Sequence, residues 1–447
     1  MVDENPATDK TEKRGFYSGY INMGRYGGGN MGETLAQKII ARASGKSHVY
    51  PGEIVDVNVD LAMMHDLGGP RRINAAMEKL GATVWDPDKV TLISDHFVAA
   101  SDSTEAAILK LTREWAKKHN IKKFHEREGI CHIVPVEKGY IRPGIFYVGG
   151  DSHSTTAGAL GCFAIALGST DMLGVIVTGK TWVKVPETIR VVWEGKLSDG
   201  VMAKDMMLKT IQTTKIDGAT YMAVEFAGET VHGLPMDERL VLSNMAIEMG
   251  AKAGMIEPDD IVYEYLRERG VEDYQPVFAD PDAKYEQSLR FKADELEPMV
   301  ALPHSPDNVK SVTEVDPVKV DQAYIGACTG AKYEDLKMAA SVLKGRRVAD
   351  GVRLLVAPAS AEVIRRATRD GILQTLIESG AILLPTGCGA CAGLGMGVLA
   401  PGEVSISSTN RNFPGRMGPG ASVYLASPAT VAATAVTGKI SDPRIFL

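Results

Sequence analysis

Three of this chain's five cysteines stand in glycine-rich loops. Gly387-Cys388-Gly389-Ala390-Cys391-Ala392-Gly393 sets two thiols three positions apart, where glycine lets the backbone turn tightly around a ligand. Cys328 lies in a similar loop, Gly326-Ala327-Cys328-Thr329-Gly330. A lone C-x-x-C in such a turn can be two buried thiols and nothing more. Three soft thiolates with no fourth nearby suit an iron–sulfur cluster that leaves one iron open for chemistry, whereas zinc usually takes a fourth Cys or His. Cys131 and Cys162 read as small buried apolar residues.

Histidines, acids and arginines supply the other reactive groups. In Asp95-His96 a carboxylate beside an imidazole can raise its pKa and fix its tautomer for acid–base work, or the pair is a capping Asp and a solvated His. Asp151-Ser152-His153 follows an apolar strand, but Ser152 sits between its would-be partners and no G-x-S-x-G elbow surrounds it. The triplet therefore reads as a polar site wall, not a hydrolase triad. Glu225, in Ala223-Val224-Glu225-Phe226, is either a buried acid or one on a strand's wet face. Arg411 and Arg416 lie in Asn410-Arg411-Asn412-Phe413-Pro414-Gly415-Arg416, a donor-dense loop suited to gripping carboxylates, with surface ion pairs as the alternative.

The elements that position these groups alternate between strand and helix. Asn30, with Glu33 three residues on, predicts a capped helix carrying Leu35, Ala36, Ile39 and Ile40 on one face. An alternating strand over 53–60 runs into Ala62-Met63-Met64-His65-Asp66, and a helix follows Gly69-Pro70. Val90–Ser94 is a strand ending at Asp95-His96, Ile145–Val148 one ending at Gly149, and 105–119 a helix. The Gly/Ala-rich stretch 155–167 and the stretch 244–252 read as helices; 257–306 is the least regular part. Strands at 323–326, 382–385 and 404–408 lead into the cysteine and arginine loops, and 333–343 is a helix. Such alternation predicts α/β architecture with reactive groups at the carboxyl ends of strands. The expected divisions are a polar, Gly-rich extension over 1–29, then α/β domains over 30–192, 193–317 and 318–447.

Composition limits the partners. A net charge of −7 without a basic face argues against nucleic acid. No run of about 18 apolar residues predicts a membrane span, and the N-terminus lacks the apolar core of a secretion signal. Few cysteines and no disulfide framework point to a reducing, cytoplasmic setting.

Taken together, the motifs resemble the aconitase superfamily: Gly149-Gly150-Asp151-Ser152-His153 followed by Gly161 and Gly168-Ser169-Thr170-Asp171, then Cys328-Thr329, the Gly387–Gly393 loop and Asn410–Arg416. Gly179-Lys180-Thr181-Trp182 and Asn244-Met245-Ala246-Ile247-Glu248-Met249-Gly250-Ala251 align it with the branch of isopropylmalate dehydratase and homoaconitase large subunits. The resemblance runs from about Met31 to the C-terminus. It implies three α/β domains around a central [4Fe–4S] cluster, without a swivel domain. Cys328, Cys388 and Cys391 would ligate that cluster, whose fourth iron binds substrate. Asp95 and His96 would protonate the departing hydroxyl. His132, Asp151, His153 and Glu225 would line the iron-bound oxygens, with Ser152 in the same wall. Asn410, Arg411 and Arg416 would bind carboxylates. His65 falls where aconitases carry a polar substrate contact, usually an amide. Ala327 and Gly330 depart from the family's usual G-S-C-T-N. The implied reaction is dehydration, with rehydration to an isomer, of a malate-type 2-hydroxy di- or tricarboxylic acid; the alternative is a 2,3-dimethylmalate dehydratase that stops at the alkene. Single-chain members add a C-terminal domain whose G-S-S-R-E-like motif supplies the base. That motif is missing here, so a separate small subunit is the expected partner.

Overall fold

The computed structural model describes residues 32–447, so the expected extension over 1–29 and the cap at Asn30 lie outside the described residues. The first helix, Leu35–Ser44, is capped by Thr34: its hydroxyl accepts from the Gln37 amide while the Gln37 side chain accepts from the Thr34 amide. Glu33, expected in that box, is bonded instead to His48 and the Val49 amide. Leu35, Ala36, Ile39 and Ile40 form the buried face, as their spacing predicts.

Three sheets follow, and the chain is α/β throughout. The first is wholly parallel, in the order Lys123–His125, Val90–Ile93, Leu61–His65, Phe146–Gly149, Phe163–Ala166. The run expected to continue from residue 53 to 66 divides in two. Ile54–Asn58, which alternates wet and buried residues, pairs antiparallel with Lys180–Lys184 in a separate ribbon. Leu61–His65 is buried along its whole length and enters the sheet, as suits a strand covered on both faces. The second sheet is also parallel: Ala253–Ile256, Ala223–Ala227, Thr188–Glu194, Gln287–Lys292. In the third, Ser422–Ala426, Val404–Ser407, Gln322–Ile325, Arg353–Val356 and Ile382–Leu383 run parallel, with Met299–Ala301 and Val309–Ser311 antiparallel at one edge.

Residues 32–447 make one compact unit. The strands Met299–Ala301 and Val309–Ser311 lie before the expected boundary at 317 yet pair into the third sheet. The stretch 257–306 is also more regular than expected, contributing the helix Asp260–Arg267 and two strands.

Two segments read as helices take other forms, and both matter for the site. Ser152–Leu160 is a buried 3₁₀ segment that ends at a left-handed Gly161 and leads into the strand Phe163–Ala166. Helix Met236–Met245 ends where a helix was expected to begin, and continues as a 3₁₀ turn, Ala246–Met249, closed by Gly250 with φ of 84°. The small residues of 152–160 allow backbone to touch backbone. A Cβ on Gly158 would stand 1.9 Å from the Gly254 carbonyl oxygen, in the second sheet. Only hydrogen fits there.

Gly158→Ala should therefore destabilise the chain by about 3 kcal/mol or more, read as a lowered melting temperature. Gly174→Ala, whose Cβ meets nothing within 4 Å, should be neutral or slightly stabilising as the helical control.

Candidate active site

The reactive groups gather at the carboxyl ends of the first and third sheets, where parallel strands release their loops. From the third sheet come all three loop cysteines. Cys328 follows Gln322–Ile325, and Cys388 and Cys391 follow Ile382–Leu383. Cys328 and Cys391 are buried, Cys388 half-buried, and all five cysteines are free. Two carboxamides serve Cys328: the Asn244 amide donates to its sulfur at 3.1 Å and the Asn410 amide at 3.6 Å. The Cys391 thiol donates to the Asn410 amide oxygen at 3.5 Å. A hydrogen bond from Cys388 holds the Cys391 thiol well below the ordinary thiol range. Burial pushes Cys328 up to about 12.

The first sheet supplies imidazoles, three of them pinned by carboxylate. His96 Nδ1 lies 2.7 Å from Asp95 Oδ1 and 3.5 Å from Asp66 Oδ1. Burial alone would lower its pKa, but the two carboxylates outweigh it and hold His96 well above the usual histidine value. Asp66 also accepts from the amides of Leu67, His96 and Phe97, which fixes the turn after the strand. Asp95 in turn accepts from the Cys131 amide at 2.8 Å. His132 Nε2 lies 2.8 Å from Asp151 Oδ1, and the same oxygen accepts from the His153 amide at 3.0 Å. His153 Nε2 reaches Glu248 at 2.8 Å. Half-buried Asp151 is held well below the carboxylate range because His132 and His153 outweigh its desolvation. His65 stacks on His96 with ring centroids 4.4 Å apart, and Nε2 meets the Gly150 carbonyl at 3.2 Å. Burial, then the His96 charge, pushes its pKa down. Ser152 Oγ stands 3.5 Å from His153 Nδ1.

Arg411 closes the wall. Its Nε donates to both Glu248 oxygens at 3.0 Å. Burial would raise Glu248, but His153 and Arg411 prevail and keep it low, hence ionised. Among the described residues, the buried Nε of Arg416 finds no partner, and neither do Nδ1 of His65 and Nδ1 of His132. Unpaired buried groups of this kind are costly and are explained where a polar ligand completes them.

One expected residue lies elsewhere. Glu225 is buried in the strand Ala223–Ala227, but it accepts from the Leu35 amide at 2.9 Å and the Tyr285 hydroxyl at 2.8 Å. It caps the first helix, and burial raises its pKa to about 7. Glu248 is the acid that stands with His153 and Arg411. The 3₁₀ turn after Met245 aims it there, where a continued helix would rotate it away. Asp66 and Asn244 were likewise not singled out as site residues. The only advance signals were the proximity of Asp66 to His65 and the four-residue spacing of Asn244 and Glu248. The other expected residues, His65, Asp95, His96, His132, Asp151, Ser152, His153, Asn410, Arg411 and Arg416, lie in this wall or in the loops that enter it.

The departures at Ala327 and Gly330 have a packing cause at the second position. A Cβ on Gly330 would lie 2.2 Å from Ser408 Oγ. That hydroxyl already accepts from the Gly326 amide and packs against the Cys328 loop.

A model of the aconitase family (aconitate hydratase) matches residues 37–438. The chain is 51% identical over 420 residues to the 3-isopropylmalate dehydratase large subunit 1 of Methanopyrus kandleri, covering 93% of this chain and 100% of that one. It is 45% identical over 416 residues to a probable methanogen homoaconitase large subunit of Methanothermobacter thermautotrophicus, covering 92% and 97%. Among solved structures, the holo-form of Thermococcus kodakaraensis aconitase X is similar at 14% identity with a TM-score of 0.46, over 80% of this chain and 84% of that one.

The corrected acid assignment has a direct test. Glu248→Gln should lower kcat/KM by roughly 10²-fold, since it frees both His153 and Arg411. Glu225→Gln should leave kcat/KM within a few-fold and lower the melting temperature instead. The reverse pattern would restore Glu225 to the site.

Proposed function

The chain belongs to the aconitase family, and from that we propose that it is the large, catalytic subunit of a hydro-lyase acting on a malate-type 2-hydroxy di- or tricarboxylic acid. The substrates named in its relatives, 3-isopropylmalate and the homoaconitase substrate, are the ones proposed. The observation that carries this reading is His96, its Nδ1 set between the Asp95 and Asp66 carboxylates, beside the loop that brings in Cys388 and Cys391. Cytoplasmic location is part of the proposal, supported by the free thiols. Among the described residues, no helix is long and apolar enough to cross a membrane.

The cofactor proposed is a [4Fe–4S] cluster on Cys328, Cys388 and Cys391. The donor set fits: the three thiols have no fourth Cys or His in their loops, and carboxamide N–H groups point at a sulfur. Bound there, the cluster would supply a Lewis-acidic iron that stabilises negative charge on the departing oxygen. The chain's own residues do the rest. His96 donates a proton at Nε2, while Asp95 and Asp66 keep it charged and oriented. His132 and His153, fixed by Asp151 and Glu248, line the oxygens of the substrate. Arg411 uses Nε on Glu248 and keeps its two terminal nitrogens for a carboxylate; Arg416 brings an unpartnered Nε.

Among the described residues, Asp66, Asp95, Asp151 and Glu248 are taken up with holding His96, His132, His153 and Arg411. The base that removes the C–H proton is therefore proposed to come from a separate small subunit. The designation of the relatives as large subunits supports this. The test is to purify the chain anaerobically and assay 3-isopropylmalate, homocitrate, citrate and 2,3-dimethylmalate with and without candidate small subunits. Turnover only in the presence of a partner is expected. Full turnover by the chain alone would overturn the proposal.

A second expectation concerns pH. His96 acts protonated, and its carboxylates raise its pKa, so kcat/KM should hold as pH rises through the ordinary histidine value of about 6.5. Asp66→Asn removes one of those charges and should bring the alkaline decline down toward that value. An unmoved profile would remove Asp66 from the acid's support.

A further inference from the structure

Lys204, the second residue of helix Ala203–Thr214, is 1% exposed. Its ammonium donates to the carbonyl oxygens of Ser408 at 3.2 Å and Thr409 at 2.6 Å, at the root of the Asn410–Arg416 loop. The chain's other fully buried cations have carboxylates: Lys332 pairs with Asp335 at 2.6 Å and Arg239 with Asp259 at 2.7 Å. Lys204 has none within ion-pair distance among the described residues. The acids around the start of its helix are otherwise engaged. Glu238 accepts from the Ala203 amide and is pushed by burial up to about 8, which favours its neutral form. Asp205 accepts from the amides of Met202 and Met299. The Ser408 carbonyl that holds the ammonium also accepts from Thr329 Oγ1 at 2.9 Å, one residue from Cys328, and Thr409 leads into Asn410, which meets both Cys328 and Cys391.

A buried ammonium with only carbonyl partners is expensive unless an anion lies close by. Here the loops it meets carry Cys328 and the Asn410 that touches Cys391, and thiols holding a cluster do so as thiolates. We propose that Lys204 is the buried countercharge of the thiolate-bound cluster and the positioning residue for the Asn410–Arg416 loop. This rests on the cluster reading above. Burial lowers the lysine toward about 8, a fall that the negative charge of a thiolate-bound cluster would oppose. Through the carbonyls of residues 408 and 409, the ammonium also sets Asn410, which serves Cys328, and Arg411, which serves Glu248. One side chain thus links cluster charge to substrate grip.

The experiment compares wild type, Lys204→Arg and Lys204→Gln, each reconstituted anaerobically and assembled with the same small subunit. Iron and sulfide content, the cluster's reduction midpoint, KM and kcat are measured. With a positive charge lost, Lys204→Gln should shift the midpoint to more negative potential, take up iron more slowly and raise KM several-fold more than it lowers kcat. Lys204→Arg, which keeps the charge, should hold the wild-type midpoint. A merely structural lysine would leave the midpoint of Lys204→Gln unchanged, and that result overturns the proposal. So does Lys204→Gln failing to fold, whether or not Lys204→Arg folds, because the ammonium would then belong to the fold and not to the cluster. Wild-type protein that takes up no iron and sulfide would sink the cluster reading itself, before any variant is compared.

Discussion

The Cys388 amide donates to the Asp95 carbonyl at 2.9 Å, and the site depends on that bond. It ties the loop of the third sheet that carries two thiols to the turn of the first sheet that carries the acid. Gly387 makes the approach possible: its φ is 153°, and a Cβ there would lie 2.5 Å from the same carbonyl oxygen. Asp95 accepts from the Cys131 amide on its other side, so one residue is held from two directions while its carboxylate holds His96. The thiol loop and the Asp95-His96 turn cannot move apart without breaking these contacts. Geometry that must be right to a fraction of an ångström for proton transfer is thereby anchored in rigid sheet ends.

Electrostatics then divides the labour among chemically similar groups. His96, His65 and His153 all stand among the acids of the wall, yet their surroundings differ. His96 has two carboxylates and stays charged, while His65, stacked on it, is driven toward the neutral form by burial and by that charge. His153 is drawn up by Asp151 and Glu248 against its desolvation. Glu248, Asp151 and Asp95 are all held low, so the wall combines fixed negative carboxylates with cationic partners. Such a wall needs little reorganisation when charge shifts in the substrate.

Much of this was legible in the residues. Glycine-flanked thiols, Asp95-His96 after an apolar strand and the Asn410–Arg416 loop all announce themselves because their chemistry is concentrated over a few positions. The α/β class followed from strand–helix alternation. Glu248 was harder to see because its segment carries apolar helical periodicity, and its aim depends on a change from α to 3₁₀ winding after Met245. Glu225 misled for the opposite reason. An acid in an apolar strand looks functional, and only the tertiary fold reveals that it meets the amino end of a helix 190 residues away in sequence. Asp66 and Lys204 were hard to see because much of what they do is hold main-chain groups, which no side-chain pattern records. The division of Ile54–Asn58 from Leu61–His65 depended on which strand each would pair with, a long-range choice.

The central claim is that Cys328, Cys388 and Cys391 together hold one iron–sulfur cluster beside the His96 donor. The most direct measurement is iron and acid-labile sulfide per chain after anaerobic reconstitution, with the visible absorption spectrum, for wild type and Cys388→Ser. About four irons and four sulfides per wild-type chain, with a brown chromophore lost in Cys388→Ser, is the predicted result. A colourless wild-type chain that turns over substrate with its partner, free of iron, would contradict it.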